Sequence, residues 1–441
     1  MTLPARTKHS VLIITLLLGI LSAFIIFYRF TSIPKTLTFD EIEFAKLALS
    51  LDNHSYIPYS PLATGHSTLY FYILLFSLKV FGINSFGLRF PAALFGLASV
   101  LVLFFVLRRV VQKMEIPHSH SPFLHNFLPV VGTFLFATTR WYFNFTRFGF
   151  EATFVLLLEL ISLLFLLIYL DHKQKKWLIP SGIFAGLAYN SYQPGRLFFI
   201  IPLIFLFLFI LERKQHRLDF SFFTKYTVTT FLSFLIPFIV LITPLSLYLS
   251  QNKDVRVNQL MYPTNTELTL GEKFQFFGRN VASTALMFSV KGDVNGRHNY
   301  PNKAALNPLM SLLFMSGLLL ALWKIKQKMN QLFVIYFFLA ISPTLLTYPW
   351  ENPNMLRTIT CLPSLIYFCM FAIAHIYIMS EKRFHIYYKI LVIGIFIGII
   401  VSAVYDARTY FMFQAPVFKE AFEAQMPLSY YINNPDAKVK K

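Results

Sequence analysis

Charge is scarce in this chain, and acidic charge is scarcer than basic charge. Only 13% of the 441 residues are charged, with 20 Asp and Glu against 39 Lys and Arg. Hydrophobic residues make up 56%, including 51 Phe and 23 Tyr. This composition excludes a disordered chain and an ordinary soluble domain. The sequence therefore predicts an all-α polytopic membrane protein.

Cysteine is almost absent. Cys361 and Cys369 lie about 12 Å apart along a predicted helix at 1.5 Å per residue, which is too far for a disulfide. The sequence has no zinc-type cysteine spacing, no phosphate-binding GxxxxGK[ST] loop and no GxGxxG helix start. These absences argue against a zinc domain, ATP-driven transport and a soluble nucleotide-sugar domain. The net charge of +19 is spread over short loops, which favours membrane lipids over nucleic acid as the partner.

Apolar runs of bilayer length recur along the chain and predict about eleven helices. They lie near 10–30, 84–107, 124–139, 150–170, 178–192, 197–211, 226–249, 307–323, 331–347, 357–378 and 390–405. Alternate connections are rich in Lys and Arg, around 108–113, 173–176, 213–217, 324–328 and 382–389. The positive-inside rule makes these connections and the N-terminus cytoplasmic. No small-residue cleavage site follows the first run, so it is predicted to be an uncleaved signal anchor.

Two of the opposite, extracytoplasmic connections are long. In the connection 31–83, the segments 40–51 and 67–81 have helical patterns interrupted by Lys46 and Lys79, which favours interfacial helices over full spans. Interfacial helices are also predicted in the central connection 250–306. The domain organisation that we predict is one transmembrane domain, 1–405, followed by a short tail, 406–441, which is too small for a core of its own.

The acidic pair Asp40-Glu41 follows the first apolar run, and it has two interpretations. Thr38 and Glu41 have the spacing of a capping box, and Asp40 would then lie in the first helical turn, where the helix dipole favours an acid. Alternatively, a carboxylate just outside a membrane helix can act as a general base or hold a metal ion. The residues alone leave both interpretations open.

A family resemblance bears on this pair. The stretch TFDEIEFAKLALSL, followed by HSTLYFYILLFSLKVFGINSFGLRFPAALFGLASV, resembles the opening of the integral-membrane GT-C glycosyltransferases. The protein O-mannosyltransferases and the lipid A aminoarabinose transferases are the most similar members. Further similar stretches are TRFGFEATF, SYQPGRLFF, FSVKGDVNGRHNYPNKAALNPLMSLLFMSGLLLAL and ENPNMLRTITCLPSL. The resemblance covers roughly residues 10 to 370 and implies a GT-C-like fold.

The resemblance also implies an activity. Enzymes of this kind transfer a sugar from a polyprenyl-phosphate carrier to an acceptor at the extracytoplasmic face, with inversion at the anomeric carbon. Asp40 is then the expected general base, and Glu41 its support or, with Asp40, a ligand of a divalent metal ion. Gly65 stands where some relatives carry a metal-binding acid, so the metal stays an open expectation. A protein, lipid or glycan acceptor is equally compatible with the sequence.

Basic residues on the same predicted face are candidates for binding the donor phosphate, because guanidinium groups match phosphate oxygens. The candidates are Arg147, Arg196, Arg297, Arg357 and His66. The alternative for each arginine is an interfacial anchor at a helix end, and for His66 a neutral surface histidine. The predicted substrate contacts are Tyr192, Gln193, Asp293 and His298.

Two other functions remain compatible with the composition. A lipid-linked sugar flippase or transporter would be equally rich in helices, but paired broken helices and internal symmetry are absent from the sequence. A non-catalytic relative that binds carrier lipid would keep the arginines. Only a dispensable Asp40 would favour this second alternative.

Overall fold

The computed structural model describes residues 5–115, 122–214, 220–383, 388–417, 424–434 and 437. Most of these residues are helical. The helices are α1 (Ala5–Phe27), α2 (Phe39–Ser50), α3 (Leu69–Phe81), α4 (Ser85–Val111), α5 (Pro122–Thr138), α6 (Arg140–Phe145), α7 (Ala152–His172), α8 (Leu178–Tyr189), α9 (Ile200–Lys214), α10 (Phe220–Gln251), α11 (Val255–Leu260), α12 (Leu270–Met287), α13 (Pro308–Trp323), α14 (Lys328–Leu345), α15 (Leu362–Arg383), α16 (Tyr388–Arg408), α17 (Ala415–Val417) and α18 (Leu428–Asn433). A short antiparallel pair, β1 (Tyr59–Ser60) and β2 (His66–Ser67), lies between α2 and α3.

The all-α prediction is confirmed, and a helix covers each of the predicted apolar runs. Within the described ranges, 7 helices are long and apolar enough to cross a membrane: Ser10–Phe27, Ser85–Val111, Ala152–His172, Gln193–Leu211, Lys225–Gln251, Ile359–Ser380 and Ile390–Val417. The count of eleven crossings stays a prediction, as does the interfacial position of α2 and α3. The predicted basic connections 213–217 and 382–389 lie largely outside the residues whose side chains the structure describes.

The centre of the bundle is formed by helices that are apolar on all sides. In α15 94% of the apolar window is buried, and in α7 78%. The corresponding share is 17% for both α1 and α16, so these two helices lie at the periphery. A helix that is hydrophobic all round is typical of a bundle interior.

The C-terminal segment packs against the first long loop. A π-helical turn, Thr409–Gln414, continues α16 into α17, so no helix ends at the predicted boundary at residue 405. Beyond it, Ala424 pairs with Leu37 through backbone hydrogen bonds of 3.0 and 3.3 Å, and Leu428 and Tyr431 are buried. The segment therefore helps to fix the strand of chain that leads into α2.

Candidate active site

The capping box at the start of α2 is present. Thr38 Oγ1 accepts a hydrogen bond from the backbone amide of Glu41 at 3.2 Å, and Glu41 Oε2 accepts one from the amide of Thr38 at 3.0 Å. Both side chains are fully buried. Asp40 lies between them in the first turn, where its side chain is 37% exposed. The local sequence therefore points Glu41 inward and Asp40 outward.

Glu41 is held by Arg89 of α4, a residue of the FGLRFP stretch. The Nε and Nη2 groups of Arg89 donate to the two oxygens of Glu41 at 2.7 and 3.0 Å, and the amide of Gly149 donates to Oε1 at 3.2 Å. The remaining Arg89 donors bind the carbonyl oxygens of Pro34 and Thr36. Since both oxygens of Glu41 are bound inside the protein, this geometry argues against the predicted catalytic and metal-binding roles of Glu41.

Asp40 forms an ion pair with a residue far away in the sequence. Its Oδ2 accepts a hydrogen bond from Nη1 of Arg297 at 2.5 Å, and the Arg297 side chain is 27% exposed. Asn144 fixes the Arg297 backbone by donating to its carbonyl oxygen at 3.0 Å. Two residues predicted for the site, from the first and the central long connection, therefore meet at an accessible position.

Tyr192 is acted on by the charge of Asp40 and by the charges of a second group of residues. Its side chain is buried, and the charges of Arg256, Glu151, Arg357 and Asp40 all act on its hydroxyl. Burial is the main cause that raises the pKa of Tyr192 above its ordinary value. The guanidinium of Arg256 also lies 5.8 Å from the centre of the Tyr192 ring. Tyr192 is thus surrounded by charged groups from several elements.

His66 is buried, not exposed at the surface. Its Nδ1 lies 3.0 Å from Glu151 Oε1, and its Nε2 lies 2.7 Å from Nη1 of Arg256. Burial and the charge of Arg256 lower the pKa of His66 below its ordinary value of 6.5, which favours the neutral ring. A neutral ring can donate from Nδ1 to Glu151 and accept from Arg256 at Nε2. His66 therefore positions Arg256, and it packs edge-on against Phe44, one turn after Asp40, at 4.9 Å.

Two predicted arginines lie in this region and keep donors without partners. Arg196 binds Asp254 Oδ2 at 2.7 Å and Ser67 Oγ at 3.2 Å, but its Nε is buried without a hydrogen-bond partner. Arg357 binds Glu351 Oε2 at 2.8 Å, and its Nη1 is also buried without one. A buried donor without a partner costs about 1–3 kcal/mol, so a ligand that accepts these hydrogen bonds would be stabilised.

We call the region between these groups the arginine cleft. It is lined by Gly65, His66, Ser67, Ser191, Tyr192, Gln193, Arg196, Asp254 and Arg256. The amide nitrogen of Gln193 is a further buried donor without a partner. The acids near the cleft already have partners: Asp254 and Glu351 pair with Arg196 and Arg357, and Glu151 binds the ring of His66. The arrangement suits an anion with several acceptor oxygens.

The comparisons with known proteins agree on the architecture. Residues 65–241 match the family described as dolichyl-phosphate-mannose-protein mannosyltransferase. No curated protein matches the chain. The structure of the Archaeoglobus fulgidus oligosaccharyltransferase in the apo form superposes with a TM-score of 0.58 at 14% identity, over 94% of this chain and 57% of that one. The chain has the GT-C fold of membrane glycosyltransferases.

Two further solved structures are similar. AglB from Archaeoglobus fulgidus, in complex with an inhibitory peptide and a dolichol-phosphate, gives a TM-score of 0.54 at 13% identity, over 92% of this chain and 56% of that one. ArnT from Cupriavidus metallidurans, bound to undecaprenyl phosphate, gives 0.46 at 10% identity, over 84% and 60%. The chain thus spans little more than half the length of these relatives. With its apolar helices, the GT-C fold makes it a multi-pass membrane protein.

Within this GT-C fold, Arg147 has a different place from the predicted one. It is fully buried and donates to the carbonyl oxygens of Ile25, Ile26, Tyr28, Arg29 and Ile33. These carbonyls belong to the end of α1 and the turn that follows it, where a helix leaves carbonyl oxygens open to further hydrogen bonds. Arg147 therefore caps α1, and the structure argues against the predicted phosphate contact.

Asp293 and His298 also hold the protein together. Asp293 Oδ2 accepts from His298 Nδ1 and from the amide of Met355, both at 2.8 Å, and Oδ1 accepts from the amide of Asn295 at 2.8 Å. Both side chains are buried. This network shapes the loop that presents Arg297, so the predicted sugar contact of Asp293 is not supported.

A metal site is not formed around Asp40. Among the residues that the structure describes, no group of three or more His, Cys, Asp or Glu side chains could hold a metal ion. Glu41, the predicted second ligand, is bound by Arg89. The residues present therefore do not fit the metal ion that the resemblance allows, and we assign no step to it.

Proposed function

We propose that the protein is a glycosyltransferase that transfers a monosaccharide from a polyprenyl-phosphate carrier to an acceptor at the extracytoplasmic membrane face, with inversion. The observation that carries this proposal is the position of Asp40. Its carboxylate is partly exposed and paired with Arg297, and Gln193 and Arg196 in the cleft, with Arg357, keep buried N–H donors without partners. A base and an anion-binding cleft side by side are what this transfer requires.

In the proposed reaction Asp40 is the general base. The acceptor hydroxyl attacks the anomeric carbon from the side opposite the phosphate, and its proton passes to the Asp40 carboxylate. A new bond forms between the acceptor oxygen and the anomeric carbon as the bond from that carbon to the phosphate oxygen breaks. The electron pair of the broken bond leaves with the polyprenyl phosphate. Arg297 keeps the Asp40 carboxylate in one orientation during this step.

The arginine cleft would receive the leaving phosphate, which gains negative charge as the bond breaks. Arg196 and Arg256 line the cleft, and Arg357 lies near Tyr192. Carboxylates now bind Arg196 and Arg357, and phosphate oxygens present acceptors of the same charge sign to the same guanidinium groups. Gln193 and Tyr192 are then placed to contact the sugar or the phosphate.

The relatives support a donor carried by a lipid. The matching family is named for dolichyl-phosphate-mannose, and one similar oligosaccharyltransferase structure holds a dolichol-phosphate. Another is tethered to an acceptor peptide containing the NVT sequon. For this chain a protein, a lipid or a cell-envelope glycan fits as acceptor, and the membrane supplies the carrier.

The test is transfer of labelled sugar from polyprenyl phosphate in membranes that contain the protein. Asp40→Asn keeps the size of the side chain and removes the base, so we expect transfer to fall by about 10²- to 10⁴-fold. The matched control is Asp52→Asn in the same loop, since Asp52 pairs with Lys79 at the surface and should be dispensable. Wild-type turnover by Asp40→Asn would refute the proposal. Carrier binding or translocation by the wild type without transfer would favour the non-catalytic or transporter alternative.

A further inference from the structure

A second pocket lies at the opposite end of the helices from Asp40. It encloses about 350 Å³ between the start of α1, the end of α4 and the start of α5, and it is lined by Ser10, Val11, Ile14, Phe104, Arg108, His125, Asn126 and Pro129. Arg89 and Arg108 belong to the same helix and lie about 28 Å apart along its axis at 1.5 Å per residue. This distance approaches the thickness of the hydrocarbon core. The pocket and the candidate active site therefore belong to opposite membrane faces.

The polar half of the pocket is cationic. Arg108, His125 and Asn126 supply donors, and none of the lining residues that the structure describes is acidic. The Nδ1 atom of His125 is buried without a hydrogen-bond partner. The neighbouring Arg109 and Lys113 both pair with Asp171, whereas Arg108 forms no ion pair among the described side chains. Within the described part of the chain, the charge of Arg108 is therefore left for the pocket, without a carboxylate to neutralise it.

The other half of the pocket is apolar and borders the lipid-facing surface. Val11, Ile14, Phe104 and Pro129 form its walls. The adjacent side chains of α1 and α4 are apolar and exposed: Leu12, Ile13, Leu16, Leu17 and Phe105. Exposed side chains of this kind on a membrane helix are covered by acyl chains. A ligand that fits both halves has an anionic head and an apolar tail.

We propose that this pocket binds an anionic phospholipid of the cytoplasmic leaflet. The guanidinium of Arg108 and the Nδ1 of His125 bind the headgroup phosphate. The amide of Asn126 binds the polar part of the headgroup, and the first acyl carbons lie along Ile14 and Phe104. The cytoplasmic leaflet is the one with anionic lipids, and its side matches the basic end of α4. The site is independent of sugar transfer, because it shares no residue with the arginine cleft.

The test compares thermal unfolding of the purified full chain in detergent with added phosphatidylglycerol or phosphatidylcholine. A ligand that binds only the folded state raises the Tm, so phosphatidylglycerol should raise it by a few degrees more than phosphatidylcholine. Arg108→Gln should abolish this difference. The matched control is Arg109→Gln, whose guanidinium pairs with Asp171, and it should keep the difference even if its Tm without lipid changes.

Two further measurements separate the possible outcomes. Ile14→Trp fills the apolar half of the pocket and leaves Arg108 in place. It should also lose the Tm difference between phosphatidylglycerol and phosphatidylcholine. If Arg108→Gln does not fold, Ile14→Trp serves as the test variant in its place. Inorganic phosphate at the same concentration should have no effect. An equal rise with phosphate would identify a free-anion site and overturn the lipid assignment. A lipid difference that persists in Arg108→Gln and Ile14→Trp, or that is absent in the wild type, would also overturn it.

Discussion

Two groups of arginines in this protein are alike in type and differ in their partners. The anchor arginines, Arg89 and Arg147, are fully buried, and they bind backbone carbonyl oxygens and, for Arg89, the capping carboxylate of Glu41. The second group, called the cleft arginines, binds the side chains of acids or of His66. It comprises Arg196 and Arg256, which line the arginine cleft, together with Arg297 and Arg357, which pair with Asp40 and Glu351. A buried N–H donor without an acceptor occurs in both groups, at Arg147, Arg196 and Arg357, so the groups differ in what their bound donors contact.

The difference between the groups explains how one residue type can serve both fold and site. A backbone carbonyl inside a folded turn cannot move away from its arginine without local unfolding. The bound donors of an anchor arginine are therefore not available to a ligand. A side-chain carboxylate is not part of the backbone of a turn, and a phosphate offers the same guanidinium acceptor oxygens of the same charge sign. The GT-C fold therefore uses anchor arginines to hold the loop that presents Asp40, and it leaves the cleft arginines available to a ligand.

The largest expected effect is the loss of stability when an anchor arginine is substituted. Arg89→Met leaves the charge of Glu41 buried without its partner, and breaking a buried pair on one side costs about 3–5 kcal/mol. We expect a strong fall in Tm and in the yield of folded protein. The double variant Arg89→Met/Glu41→Gln should regain part of the loss, because the uncompensated charge is gone. Wild-type Tm in the single variant would contradict the anchor role.

Substitution of a cleft arginine should weaken donor binding and leave the Tm nearly unchanged. Arg357→Lys keeps the positive charge but loses the forked donors, and a charge-assisted hydrogen bond contributes about 1.5–3 kcal/mol. The KM for the lipid-linked donor should therefore rise by roughly 10- to 100-fold, with the Tm nearly unchanged. Arg147→Lys is the matched anchor variant, and it should lower the Tm, since lysine cannot bind the same set of carbonyls. A similar loss of Tm in both variants would erase the distinction between the two groups.

The two groups of arginines also show which features of the fold and the site could be predicted from the sequence. Helices were predictable because apolar runs and the Thr38–Glu41 capping box are local patterns. The charges of the short loops placed Asp40, Arg196, Arg297 and Arg357 on one predicted face. Asp40 and Arg297 do meet. The sequence did not separate Arg147 from the cleft arginines, because its partners lie more than a hundred residues earlier in the chain.

Other site residues were missed for a related reason. Arg256 and Asp254 lie in KDVRVNQ, a polar stretch whose composition resembles any loop. Only packing brings Arg256 to His66 and Asp254 to Arg196. Arg89 and Glu151 did carry a signal, since each lies within a stretch that resembles the family, FGLRFP and TRFGFEATF, but their partners could not be read from the sequence. Local patterns determine helices, whereas the cleft depends on contacts between distant segments.

A smaller effect is expected on the pH dependence of stability and of donor KM, because His66 titrates and contacts Arg256. Burial and Arg256 lower the pKa of His66, so between that lowered pKa and about 6.5 the unfolded chain binds more protons than the folded protein. Stability should therefore rise with pH in this window and be lost as the pH falls below about 6.5. Donor KM should rise at lower pH, as the pH falls through the lowered pKa of His66 in the folded protein, because only a protonated His66 repels Arg256.

The pH effect is checked by measuring Tm and donor KM between pH 5 and 7.5, a range chosen around the roughly 6.5 pKa of free histidine. His66→Gln should remove most of the dependence, since glutamine does not titrate. His54→Gln is the control, because His54 is exposed in the same loop. If the wild type and His66→Gln show the same pH profile, the protonation of His66 does not control Arg256.

The smallest expected effect tests whether the cap positions Asp40. Thr38→Ala removes a side-chain cap and should cost about 1 kcal/mol, with a partial loss of transfer because Asp40 lies in the first turn of the same helix. The chain offers a matched control, since Thr269 and Glu272 form a second capping box, exposed at the start of α12. Thr269→Ala should leave transfer unchanged. Equal transfer in both variants would mean that Arg297 alone orients Asp40, and that the cap serves the helix without serving the reaction.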